Sequence, residues 1–128
     1  MSKKPKKGPS KETFVKGCLR RGSLMYKPIS ERRRLARRAP NQYECDICHG
    51  LFTSKEIDID HIFPVIDIVT GFVDWNTYIE RLFCDVENLA ALCKQCHSEK
   101  TKIEVQMRKY ARAKRKEEAS EHDEDEEN

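Results

Sequence analysis

Two Cys-x-x-Cys knuckles frame the part of this chain whose residue types suit chemistry. Cys45-Asp46-Ile47-Cys48 opens the frame and Cys93-Lys94-Gln95-Cys96 closes it. Asp60-His61 and Asn88 lie between them, and His97 follows directly. Paired thiols at this spacing make a four-thiolate cage, the closed tetrahedral arrangement that structural zinc prefers. The knuckles are separated by 44 residues, whereas an ordinary zinc ribbon holds about 15–20 there. The extra length leaves room for a second unit carrying His, Asp and Asn. The cage reads as structural, and any chemistry belongs to what it holds in place. Plain readings stand beside this one. His61 alone would pass for a half-buried, hydrogen-bonded histidine. His97 could replace a cysteine on the zinc, but four cysteines already complete the cage. His49 reads as a turn residue, Cys84 as a small core hydrophobe and His122 as solvent-exposed; Cys18 has no assignment.

The elements that must position these residues follow from local pattern. Ile57-Asp58-Ile59-Asp60-His61-Ile62 alternates as a strand does, and Pro64 ends its pairing. On a pleated strand Asp60 and His61 point to opposite faces, so one can serve a metal and the other a substrate. His49-Gly50 lets the chain turn under the zinc, with Gly50 supplying positive φ, and Thr70-Gly71 is a second turn. Asp74 caps a helix in which Trp75, Tyr78, Ile79, Leu82 and Phe83 form an apolar stripe, read as core. Leu89-Ala90-Ala91-Leu92 is a returning strand or a turn. From His97 to about Lys116 the composition is helical. Upstream, Ser30 caps a short basic helix through Arg38, with Pro40 marking its stop. Residues 13–29 show no clear period.

Composition bounds the rest. The 128 residues carry 38% hydrophobic and 37% charged side chains, so the core is small and needs a staple. The Lys-rich start has no apolar signal segment, and no run is long enough to span a membrane. Four of the six cysteines sit in the knuckles, which points to metal ligation in a cytoplasmic protein and away from disulfides. A net charge of +3 hides strong segregation. Residues 1–40 stand at +12, 41–100 at −7, 101–116 at +6 and 117–128 at −8. This divides the chain into a basic, partly disordered arm (1–40), a metal-stapled domain with a basic C-terminal helix (41–116) and an acidic disordered tail (117–128). Charge runs often only solvate a protein. An arginine cluster beside a metal site favours nucleic acid, with Arg32, Arg33, Arg34, Arg37 and Arg38 tracking phosphates.

Ile59-Asp60-His61-Ile62-x-Pro64, then Asn88-Leu89-x-x-Leu92-Cys93-x-x-Cys96-His97-x-x-Lys100-Thr101, resembles the HNH (His-Me finger) nuclease family. More narrowly, it resembles the zinc-knuckle HNH endonucleases of bacteriophages. The resemblance covers about residues 43–101. It implies an α+β fold: a small ββα-metal core stapled by the four-cysteine zinc knuckle, with an inserted helix and a long C-terminal helix. It also implies a catalytic divalent ion (Mg²⁺, Mn²⁺ or a transition metal) held by Asp60 and His97. His61 would be the general base, as an imidazole suits proton transfer near neutral pH. Asn88 would orient His61 or help hold the metal. Lys100 would touch a phosphate, or remain an exposed helix lysine. The segment 66–86 is longer than in compact members.

These readings make the chain a metal-dependent endonuclease of DNA, double-stranded by expectation, in the cytoplasm of a phage host. The alternative is a zinc-knuckle DNA-binding or adaptor protein without catalysis, in which Asp60, His61 and His97 are incidental. RNA or branched DNA as substrate is a narrower variant.

Overall fold

The computed structural model describes residues 7–126, with side chains as far as Glu121. In chain order the elements are helices α1 (Lys11–Ser23) and α2 (Lys27–Ala36), strands β1 (Arg37–Ala39), β2 (Gln42–Glu44), β3 (Leu51–Phe52) and β4 (Ile57–His61), helix α3 (Trp75–Leu82), strand β5 (Leu89–Cys93) and helix α4 (Lys94–Glu126). The class is α+β, with two small antiparallel sheets. One has the order β1-β2-β3 and the other pairs β4 with β5. The register of the second sets Ile57 opposite Cys93, Asp60 opposite Ala90 and His61 opposite Leu89. No linker separates β5 from α4. Among the described residues no helix is long and apolar enough to cross a membrane.

The core has two parts. Ala36, Cys45, Ile57, Ala91, Leu92, Cys93 and Cys96 are buried together, with Tyr43, Phe52 and Ile59 packed against them. Val65, Tyr78 and Leu82 form the second, with Leu19, Phe72, Trp75 and Phe83 around them. Three knuckle cysteines, Cys45, Cys93 and Cys96, thus sit inside the first cluster while Cys48 is exposed at its edge, whereas the helix inserted between β4 and β5 builds the second. Asp74 caps that helix by accepting from Thr77 N at 2.7 Å, and its stripe faces inward as expected, except that Ile79 stays 42% exposed.

The basic arm is more ordered than its composition suggests. Ser10 caps α1, and α1 packs on α3 through Arg20 Nε, which donates to the Tyr78 hydroxyl at 3.2 Å. Residues 1–6 of the arm lie outside the described residues. The second helix starts three residues before the expected cap, because Pro28 in its first turn favours initiation there. Ser30 therefore falls inside it and bonds back to Lys27 O at 2.9 Å. The helix also ends early, at Ala36, where Arg37–Ala39 turns into an edge strand beside β2. The turn under the first knuckle uses positive φ at His49 (59°) and not at Gly50. Gly50 is needed for space: an added Cβ would lie 2.9 Å from the Phe52 ring. At the other end α4 starts at Lys94, before His97, and runs through the acidic segment to Glu126. No Gly or Pro interrupts it, and Glu, Lys, Arg and Ala favour helix. The disordered tail expected over 117–128 is thus helical as far as it is described, with residues 127–128 outside.

Candidate metal centre and facing residues

The four knuckle cysteines converge. The Sγ atoms of Cys45, Cys48, Cys93 and Cys96 all lie within 4.8 Å of one another, and Cys48 and Cys93 are 3.9 Å apart. A zinc ion with Zn–S bonds of about 2.3 Å sets tetrahedral sulfurs about 3.8 Å apart, so the group could hold a structural metal such as zinc. Local chain geometry explains the convergence. Cys45 N donates to Gly50 O at 3.0 Å and His49 N to Cys45 O at 2.9 Å, closing the first knuckle. Cys93 ends β5 and Cys96 lies in the first turn of α4, so the second knuckle is a strand-to-helix junction. Burial pushes the Cys45 thiol up, but backbone donors from Cys93, Cys48 and Ile47 outweigh it and bring it down to about 6. The neighbouring Cys93 sulfur, then burial, push Cys96 up to about 12. Clustered thiols without a cation cannot all ionise, so the donor set suits a cation that neutralises them.

Asp46, inside the first knuckle, ties the cage to its surroundings. Its Oδ2 accepts from Ala91 N at 2.8 Å, and its own N donates to Ala91 O at 2.8 Å. The same oxygen takes an ion pair from Arg32, whose Nε donates to Leu89 O at 3.1 Å. Arg33 donates to Ser54 O at 2.9 Å, and Arg38 pairs with Glu44 at 3.0 Å on the surface. The arginine cluster is therefore divided. Arg32 and Arg33 are bonded into the fold, while Arg34 and Arg37 are exposed and make no side-chain hydrogen bond among the described residues. Arg32→Gln is expected to cost about 1–3 kcal/mol in urea unfolding, the loss of hydrogen bonds made by a charged donor. Arg34→Gln should leave the unfolding midpoint within error.

The Asp60-His61 pair splits across β4 as alternation requires. Asp60 faces α4: its Oδ2 lies 4.0 Å from His97 Nε2 and 2.8 Å from Lys100 Nζ. His61 faces α3 instead, with Nε2 2.9 Å from Leu82 O. A carbonyl can only accept, so Nε2 carries a hydrogen, and in the neutral ring Nδ1 keeps the lone pair. Asn88 sits beside the exit of β4. Its backbone O accepts from Ile62 N at 2.8 Å and its side-chain Oδ1 from Phe63 N at 3.2 Å. It clamps the two residues after His61 and thereby supports that histidine's place. Lys100 is no exposed helix lysine. Its three ammonium hydrogens serve Asp60, His61 O at 3.1 Å and Glu104 at 2.5 Å, at 24% side-chain exposure. Burial lowers its pKa, but Asp60 and Glu104 outweigh that and raise it. The exposed-lysine alternative is the one this network replaces.

Sequence reasoning missed Asp58. Its Oδ1 takes Lys94 Nζ at 2.5 Å and its Oδ2 faces His97 Nδ1 at 3.0 Å. Burial pushes the Asp58 carboxyl up, yet these two partners hold it below the usual value. The signal was the alternation itself, which places Asp58 and Asp60 on one face of β4. Asp60 and His97 together can contribute two ligands to a divalent ion. Two bonds of about 2.1 Å set adjacent octahedral ligands about 3.0 Å apart, so these two side chains would have to close by about 1 Å around an ion and Asp60 would have to share or release Lys100; Mg²⁺-type ions usually keep several waters. Cys84 is half-buried beside Asn88, and burial pushes its thiol up. Cys18 is exposed on α1, His49 is exposed, and the His122 side chain lies outside the described ones. No family model matches the chain, and neither a curated protein nor a solved structure matches it.

Proposed function

We propose that this chain is a metal-dependent endonuclease of the HNH type, hydrolysing DNA phosphodiester bonds in the cytoplasm. The observation that carries the reading is the split of one strand. Asp60 turns toward His97 on α4, while the next residue, His61, turns to the other face with Nε2 held by a carbonyl and Nδ1 available as a base. An antiparallel strand pair leading directly into a helix is what a ββα-metal core requires, and β4, β5 and α4 have that order.

In this reading His61 Nδ1 takes the proton of the attacking water. The Leu82 carbonyl fixes the tautomer, and Asn88 holds the backbone that follows. Asp60 and His97 hold the ion. Bound between them, a divalent ion would supply charge neutralisation at the scissile phosphate and the leaving 3′ oxygen. The cysteine cage holds zinc and takes no part in the reaction; it fixes the junction of β5 and α4 from which His97 projects.

Purified protein should relax supercoiled plasmid only when Mg²⁺, Mn²⁺ or a transition metal is added, leaving 5′-phosphate and 3′-hydroxyl ends. No relaxation with any of these ions would transfer the reading to a zinc-knuckle DNA-binding protein. The exposed Lys100-independent cations of the arm, Arg34 and Arg37, are the phosphate contacts in either case. Replacing both by Gln should reduce the slope of log K against log salt by about 2, since each phosphate contact contributes about 0.9. An unchanged slope would show that they only solvate the helix.

A further inference from the structure

We propose that Asp58 is a positioning residue for the second metal centre: it fixes His97 as the Nδ1–H tautomer, aiming the Nε2 lone pair at the ion shared with Asp60. The inference rests on the proposed function, because it presumes that Asp60 and His97 hold an ion.

The geometry carries it in three steps. Asp58 and Asp60 share the α4-facing side of β4, and Lys94 and His97 stand one helical turn apart on the first two turns of α4. The two oxygens of Asp58 are divided between them: Oδ1 to Lys94 at 2.5 Å, Oδ2 to His97 Nδ1 at 3.0 Å. Lys94 thus fixes the carboxylate, and the carboxylate fixes the imidazole. An ionised carboxylate only accepts, so Nδ1 must carry hydrogen and a neutral ring keeps its lone pair on Nε2. That nitrogen is the one 4.0 Å from Asp60 Oδ2. A carboxylate behind a ligating histidine sets its tautomer and strengthens it as a donor.

Asp58 is not a third ligand. Both of its oxygens are engaged, Oδ1 by Lys94 and Oδ2 by His97 Nδ1, whereas Asp60 gives only Oδ2 to Lys100 and keeps Oδ1 without a hydrogen bond among the described residues. Among the described residues the only group of three or more potential ligands whose donor atoms all converge is the four cysteines. The remaining alternative is a strap that merely ties β4 to α4. A strap would fix the same tautomer and affect unfolding, but it would leave Mn²⁺ affinity at its wild-type value.

The experiment uses the zinc-loaded full chain labelled with ¹⁵N, at a pH where the imidazoles are neutral. Long-range ¹H–¹⁵N spectra should show His97 as the Nδ1–H form in wild type and as the Nε2–H form in Asp58→Ala. Titration with Mn²⁺, read by the electron-spin signal of the free ion, should show a dissociation constant raised 10–100-fold in Asp58→Ala. Asp58→Asn keeps an acceptor oxygen and loses the charge. It should retain the tautomer and weaken Mn²⁺ less. A wild-type ring already in the Nε2–H form, or an Asp58→Ala protein with wild-type Mn²⁺ affinity whatever its tautomer, overturns the role of Asp58 alone. A wild type that binds no Mn²⁺ overturns the metal-centre reading and this role with it. Should Asp58→Ala fail to fold, Mn²⁺ affinity in Asp58→Asn decides, and a wild-type value overturns the proposal.

Discussion

Cys93→Ser is expected to abolish zinc binding and leave no stable fold around the knuckles. Structural zinc contributes about 10–16 kcal/mol in small zinc peptides, while a whole domain is stable by only about 5–15 kcal/mol. The metal term is therefore as large as everything else combined. The position makes it worse. Cys93 is 3% exposed, lies in the same cluster as Ile57 and Leu92, and is the strand end from which α4 departs. A hydroxyl there would sit among apolar side chains and would not replace a thiolate. Loss of the knuckle should also release Asp46 and, through it, the anchor of Arg32. Zinc content by elemental mass spectrometry and thermal unfolding by circular dichroism measure the two effects together. Cys18→Ser and Cys84→Ser are the controls and should keep one zinc per chain. Acid should act as the mutation does. Zinc needs thiolates, so protons compete with it and affinity falls as pH falls. Folded wild type without tightly bound zinc would end the structural-zinc reading.

What could be read from the sequence was local. The alternation of Ile57, Asp58, Ile59, Asp60 and His61 is set by a buried face, and β4 follows it. The Asp74 cap and the stripe from Trp75 to Leu82 are properties of one helix and appear as such. The cysteine spacing is a metal signature, and its four sulfurs converge. What could not be read depends on partners from other elements. Arg32 and Arg34 are equivalent in composition, and only the position of Asp46 makes the first structural and leaves the second exposed. Lys100 looks like any helix lysine until β4 brings Asp60 within 2.8 Å. Asp58 shares its strand face with Asp60, but its meaning comes from His97, 39 residues away. Ser30 misled for a different reason: it is a good cap, yet Pro28 starts the helix earlier. The acidic end misled because charge density argues for disorder while residue type argues for helix, and helix wins where α4 is already propagating.

His61→Ala is expected to lose about 10²–10⁴-fold in DNA cleavage, the usual share of general-base catalysis, while keeping zinc, fold and DNA affinity. The stability part can be bounded. Among the described residues His61 makes one side-chain hydrogen bond, to Leu82 O, so its removal costs about 1 kcal/mol and cannot by itself empty the folded state. Loss of rate without loss of fold would then belong to the proton-transfer step. Asp60→Ala and His97→Ala should behave differently. They are expected to raise the metal concentration needed for half-maximal rate, with partial recovery for at least one of them at high metal. Asp60 carries a complication that the geometry makes explicit: its removal leaves Lys100 with Glu104 and His61 O, so an ammonium remains where an ion should bind. Asp60→Asn, which keeps an oxygen for Lys100, separates the loss of a ligand from the rearrangement of that lysine. Initial rates on supercoiled plasmid across a metal series, with urea unfolding of each variant, distinguish base from ligand. If His61→Ala cleaves at the wild-type rate in saturating metal, the imidazole is held by Leu82 for structural reasons only, and the chain is better understood as a zinc-stapled DNA-binding protein.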